Sequence, residues 1–163
     1  LVVPYKPAWK EIVDQFGRKY LNFDETLNRS KLAIEIFQND IKRDILESIL
    51  HPRVIAEEKN IYFDCQKLYP QAIVIIDSAL LIESKNYKNV DKVIIIKSNE
   101  ELQIKRVMTR DNKSRAAVKN RIQSQMSLEK KMIYADYSID NTSDRELLKT
   151  QVHNLYTTLK SLL

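Results

Sequence analysis

Ala72-Ile73-Val74-Ile75-Ile76-Asp77 and Val93-Ile94-Ile95-Ile96 are the two stretches that decide the fold. The first ends at an acid, and the second follows Asp91-Lys92. A strand with one wet face alternates apolar and polar residues. A β-branched run without alternation suits a parallel strand covered on both faces. A third and weaker run, Tyr137-Ser138-Ile139, ends at Asp140-Asn141.

Helical patterns fill the spaces between these runs. Ser98-Asn99-Glu100-Glu101 has capping-box spacing ahead of Leu102, Ile104 and Val107, and Ser143-Asp144-Arg145-Glu146 has it ahead of a C-terminal helix. In that last helix Leu147, Leu148, Val152, Leu155 and Leu159 share one face, which predicts packing on a core. Ser114 can open a helix that runs through Val118, Ile122 and Met126. Upstream, residues 27–69 read as helix interrupted at Pro52, whose ring removes a backbone donor and disfavours helix at His51. Trp9, Phe16 and Tyr20 are expected to pack a local helix. A helical N-terminal part followed by strand–helix alternation predicts an α/β protein with a parallel sheet and right-handed crossovers.

Composition narrows the chemistry. The chain of 163 residues holds one glycine, Gly17, where average usage of about 7% would give roughly eleven. No G-x-x-x-x-G-K-[ST] phosphate loop and no G-x-G-x-x-G loop can therefore lie within these residues. The net charge of +5 suits anionic partners. The lone cysteine, Cys65, cannot form an internal disulfide and reads as a small buried residue. Two histidines and one cysteine in scattered positions give no zinc spacing, and no membrane span is expected.

Three segments could carry chemistry. Between Gln103 and Gln125 lie Arg106, Arg110, Arg115 and Arg121, with Lys105, Lys113 and Lys119. Arg106 and Arg110, four apart, share a helix face. Guanidinium forks match phosphate oxygens and keep their charge, so a phosphate clamp is one reading. A solvated face paired with Glu100, Glu101 or Asp111 is the other. Asp77, at the end of a strand, stands where α/β sheets bind ligands, and Ser78-Ala79-Leu80-Leu81-Ile82-Glu83 follows it. Arg43 precedes Leu46, Ile49 and His51-Pro52, with His51 read either as a free ring or as a packing residue. His153 reads as a surface residue.

In order, these segments resemble dephospho-CoA kinase, a P-loop nucleoside-kinase family. Residues 1–17 resemble the family segment just after its catalytic aspartate. Leu27-Asn28-Arg29-Ser30-Lys31-Leu32 with Ile36-Phe37 resembles "L-x-R-x-x-L … I/V-F". Arg43 to His51-Pro52 resembles the helical CoA-binding subdomain. Asp77 to Glu83 resembles "D-I-P-L-L-F-E", with Ser78-Ala79 and Ile82 as departures. Gln103-x-x-Arg106-x-x-x-Arg110 with Arg121-x-x-x-Gln125 resembles the lid, and Ala135-Asp136-Tyr137-x-Ile139-x-Asn141 the closing strand.

The resemblance implies a three-layer αβα fold with a helical substrate subdomain (about 20–70) and a helical lid (about 103–133). It implies transfer of the ATP γ-phosphate to the ribose 3′-hydroxyl of dephospho-CoA, with Mg²⁺, in a cytoplasmic enzyme. Arg110 and Arg106 would be catalytic, with Arg110 and Asn141 also on ATP. Arg43, His51, Asp77, Leu80, Leu81 and Glu83 would bind dephospho-CoA. No metal ligand is assigned. The family's phosphate loop and its catalytic aspartate are not among these residues. The chain is therefore expected to be part of a longer one, and the residues alone to bind ATP poorly and fold poorly. The strand that carries the loop separates the first two runs in the family sheet, so both are expected to show open edges. The alternatives are a non-catalytic nucleotide- or CoA-binding relative and a basic nucleic-acid binder. Residues 103–125 contain no aromatic residue for base stacking, so no nucleic-acid partner is expected.

Overall fold

Clustering of contacts divides the chain, in a computed structural model that describes all 163 residues, into two units, Leu1–Leu68 and Tyr69–Leu163.

The first unit is helical. Helix α1 (Pro7–Phe16) starts on a proline, tolerated in the first turn because that N–H needs no intrahelical partner. Its buried residues Ala8, Trp9, Ile12 and Phe16 fall along one stripe. Gly17 ends it at φ +85 and ψ 161, a backbone conformation that only glycine takes without strain, and its N–H donates to the Val13 carbonyl at 2.8 Å. The lone glycine thus serves the chain path from α1 into a 3₁₀ turn at Arg18–Tyr20.

Helix α2 (Arg29–Phe37) is capped by Asn28, which accepts from the Lys31 N–H at 2.9 Å. Helix α3 (Asp40–Leu68) follows after a break at Gln38-Asn39, where Asn39 Oδ1 accepts from the Lys42 N–H at 3.0 Å. Ala8, Ile12, Phe16, Tyr20, Leu32, Leu46 and Ile49 form the core these three helices share. The polar tips of the aromatic residues are satisfied, as burial demands: Trp9 Nε1 donates to the Glu25 carbonyl at 2.7 Å, and the Tyr20 hydroxyl to Glu35 Oε2 at 2.8 Å.

The predicted interruption at Pro52 does not occur, and α3 runs through it for 29 residues. The ring deletes a single N–H. Arg53 reinforces the turn there, its guanidinium donating to the Ile49 carbonyl at 2.5 Å and pairing with Glu11 at 2.6 Å. Packing of Leu46 and Ile49 against α1 and α2 outweighs one missing backbone bond. The real break lies at residues 38–39, where Asn39 offers a better cap than any residue near Pro52.

The second unit contains a parallel pair, β1 (Ile94–Lys97) and β2 (Tyr137–Asp140), in register Ile94↔Tyr137 to Lys97↔Asp140. Helices α4 (Glu100–Asp111), α5 (Arg115–Gln123) and α6 (Leu128–Met132) form the crossover, and α7 (Arg145–Lys160) follows β2. Ile82, Val93, Ile104, Val118 and Ile139 are its buried apolar side chains. Asp136 anchors the start of the pair. Its carboxylate accepts from the Val93 N–H at 2.8 Å and from Lys92 at 3.2 Å. Those two bonds, the backbone one first, hold its pKa below the ordinary aspartate value.

Five local expectations change. Residues 72–76 form no ladder, and Ile75 is 74% exposed, because no neighbouring strand meets their N–H groups. The caps sit one residue later than the serines: Asn99 accepts from Leu102 N–H at 2.8 Å, and Asp144 from Glu146 and Leu147 N–H at 2.9 Å. Asparagine and aspartate cap as well as serine, and Asp144 also complements the helix dipole. Ser114 does cap α5, but that helix stops at Gln123, and Ser127 restarts the chain as α6. Helix α7 buries none of its residues fully; Leu147 and Val152 are about half exposed. Cys65 is half-buried, not enclosed. No helix is long and apolar enough to cross a membrane.

Candidate functional site

Arg106 and Arg110 both lie on α4, one turn apart, and both are exposed. Their partners differ. Arg106 Nη1 donates to the Asn141 carbonyl at 2.8 Å, and the Asn141 N–H donates to the Lys97 carbonyl at 2.8 Å. Arg106 therefore ties α4 to the end of the β1–β2 ladder, and the two candidates Arg106 and Asn141 are brought together. Arg110 lies against its neighbour Asp111, with Nε at 2.6 Å and Nη2 at 3.0 Å from the two carboxylate oxygens. The Arg110 guanidinium, then Arg121 and Lys113, hold Asp111 below the usual carboxylate pKa, and Asp111 raises that of Arg110. Of these cations, Arg110 alone is in direct contact with the Asp111 carboxylate. Arg115 is engaged elsewhere, with Glu101 at 2.5 Å.

Asp77 is exposed, and Leu80 and Leu81 are half-buried. The chain then turns tightly: Ser84 N–H donates to Leu80 carbonyl at 2.9 Å, Lys85 N–H to Ile82 carbonyl at 2.9 Å, and Tyr87 N–H to Leu81 carbonyl at 3.1 Å. Ile82 within this turn is buried, while Leu80 and Leu81 are only partly covered. Glu83 is not free to face a ligand with both oxygens. Its Oε1 accepts from the Met126 N–H at 2.9 Å and pairs with Lys131 at 3.0 Å. Lys131 has no signal in the sequence, because the second of two adjacent lysines in Glu129-Lys130-Lys131 carries no spacing pattern.

In the first unit, Arg43 and His51 lie on α3, eight residues and about 12 Å apart along the axis. Arg43 pairs with Asp40 at 3.0 Å, and His51 is half-buried within the helix. His153 is exposed, as its place on α7 predicts. A groove of about 660 Å³ lies along α4, lined by Asn99, Glu101, Leu102, Lys105, Met108 and Thr142 among others, with Arg115 at the start of α5. Neither Arg106 nor Arg110 lines it.

Comparison with known proteins accounts for this arrangement. The dephospho-CoA kinase family model matches residues 1–146. A dephospho-CoA kinase of Syntrophus aciditrophicus is 33% identical over 96% of this chain, which spans 66% of that relative's length. One from gamma-proteobacterium EBAC31A08 is 36% identical, with coverages of 96% and 78%, and one from Bacillus cereus is 41% identical, with 90% and 73%. The solved dephospho-CoA kinase of Campylobacter jejuni superposes with a TM-score of 0.63 at 29% identity, over 96% of this chain and 78% of the other. A Thermus thermophilus structure shares the fold with a TM-score of 0.68 at 23% identity, over 93% and 80%. With the arginine-bearing α4, the turn after Asp77 and the parallel pair in one order, and the family match over most of its length, this chain belongs to the dephospho-CoA kinase family.

Proposed function

We propose that this chain carries the acceptor-binding and lid parts of an enzyme that transfers the γ-phosphate of ATP to the ribose 3′-hydroxyl of dephospho-CoA, the last step of coenzyme A synthesis. The observation that carries this reading is the pairing of the family match over residues 1–146 with an exposed arginine held only by an adjacent carboxylate. Phosphoryl transfer is driven by positioning and by charges aimed at the transferring group. Arg110 can leave Asp111 for the phosphate without breaking any core contact, and it cannot lose its proton on the way. Arg106, held on the Asn141 carbonyl, fixes α4 so that Arg110 swings from a steady base; this makes Asn141 and Arg106 one structural unit beside the nucleotide.

Dephospho-CoA binding is assigned to Arg43 and His51 on α3 and, separately, to Asp77, Leu80 and Leu81 of the second unit. Mg²⁺ would accompany the phosphates of ATP and neutralise charge on them. No three acidic, histidine or cysteine side chains cluster as a metal site among these residues. A cytoplasmic setting fits an enzyme of this chemistry.

The acceptor assignment has a direct test. Arg43→Ala in the full-length protein should raise KM for dephospho-CoA about tenfold, the value of one charge-assisted bond, and leave KM for ATP within about twofold. Steady-state kinetics with each substrate varied in turn reads both. Equal weakening of the two substrates would refute the placement of Arg43 on the acceptor.

A further inference from the structure

Most ion pairs of this chain are wet. Lys149–Glu146 leaves the two side chains 61% and 80% exposed, and pairs of that kind contribute little. Lys131–Glu83 is different, with the side chains 16% and 22% exposed. Lys131 Nζ donates to the Ala79 carbonyl at 2.8 Å and lies 3.0 Å from Glu83 Oε1, so it bridges both ends of the turn that follows Asp77. Glu83 Oε1 also accepts the Met126 N–H, in the connection between α5 and α6. Glu83 Oε2 is covered and has no hydrogen-bond partner, so Lys131 is the only cation that neutralises this carboxylate at contact distance. A second contact runs parallel to it: the Tyr87 and Tyr134 rings lie 4.8 Å apart, joining the same two segments.

We infer that Lys131 is a positioning residue for the acceptor, acting through Glu83 and the Ala79 carbonyl to hold the turn that carries Leu80 and Leu81 against the segment beyond the lid helix α5. The inference rests on the reading of Asp77, Leu80 and Leu81 as the acceptor side. Removing the lysine strands a covered carboxylate, which water must then reach by prising the turn from residues 126–131. Leu80 and Leu81 lose their fixed place as a result, while Arg110, on α4, keeps its own partner. Glu83 thereby acts on the turn that carries Leu80 and Leu81.

The test uses the full-length protein with Lys131→Met, and with Lys131→Gln, which keeps a donor for Ala79, should the first fold poorly. Amide hydrogen exchange at Ser84, Lys85 and Met126 should quicken about tenfold, and KM for dephospho-CoA should rise about tenfold with KM for ATP within about twofold. Adding Glu83→Gln to Lys131→Met should cost nothing further, because the stranded charge is then gone. Unchanged exchange at those amides overturns the inference. Faster exchange with neither KM or both KM values moved overturns it too, as does a fully additive double variant. A wild-type protein inactive toward dephospho-CoA would instead refute the proposed reaction, and the exchange result would still judge the hold of Lys131 on the turn.

Discussion

Replacing Arg110 by alanine in the full-length protein is expected to lower kcat about a thousandfold, by analogy with arginines that stabilise charge in phosphoryl transfer. The same substitution should leave the melting temperature nearly unmoved. Its side chain is 71% exposed and its hydrogen bonds run to Asp111 alone, and surface changes of that kind alter stability by no more than about 0.5 kcal/mol. Lost turnover would then report on chemistry and not on folding. Arg110→Lys should recover only part of the rate, since an ammonium keeps the charge without the two-pronged fork. Unchanged turnover in Arg110→Ala would remove the clamp from the mechanism.

Ile12→Ala is expected to destabilise the first unit by about 2–5 kcal/mol, measured as a shift of the urea midpoint at constant slope. Ile12 is 1% exposed at the centre of the cluster formed with Ala8, Phe16, Tyr20, Leu32, Leu46 and Ile49. A void there cannot be refilled easily, because its walls belong to three helices and to a tyrosine held by Glu35. Arg43 and His51 ride on α3, one of those walls, so affinity for the acceptor should fall with stability. A loss below about 1 kcal/mol would mean that the site collapses around the smaller side chain and that this core is looser than its burial indicates.

The parts of this structure readable from sequence are those written in periodicity and local chemistry. Val93 to Ile96 and Tyr137 to Ile139 pair in parallel as their apolar runs predict, although Ile96 is 55% exposed and one face of the ladder stays open. Trp9, Phe16 and Tyr20 pack where their spacing on and after α1 puts them. The failures are context effects. Residues 72–76 have the same composition as β1 but no neighbour to pair with, and composition cannot supply one. Pro52 breaks a helix in isolation, but not one fastened by Leu46, Ile49 and the Arg53–Glu11 pair. Of the candidate site, the α4 arginines were legible from their four-residue spacing. That Arg106 would bond the Asn141 carbonyl, or that Lys131 would close on Glu83, depends on residues 35 and 48 positions apart, and no local pattern records such a meeting.

The most direct measurement of the central claim is phosphoryl transfer itself. Full-length protein is incubated with γ-labelled ATP, Mg²⁺ and dephospho-CoA, and the product is separated and its phosphate located. The account predicts label on the ribose 3′-hydroxyl, formed in step with ADP and lost in Arg110→Ala. ATP turnover without label in the acceptor, or label at another hydroxyl, would contradict it.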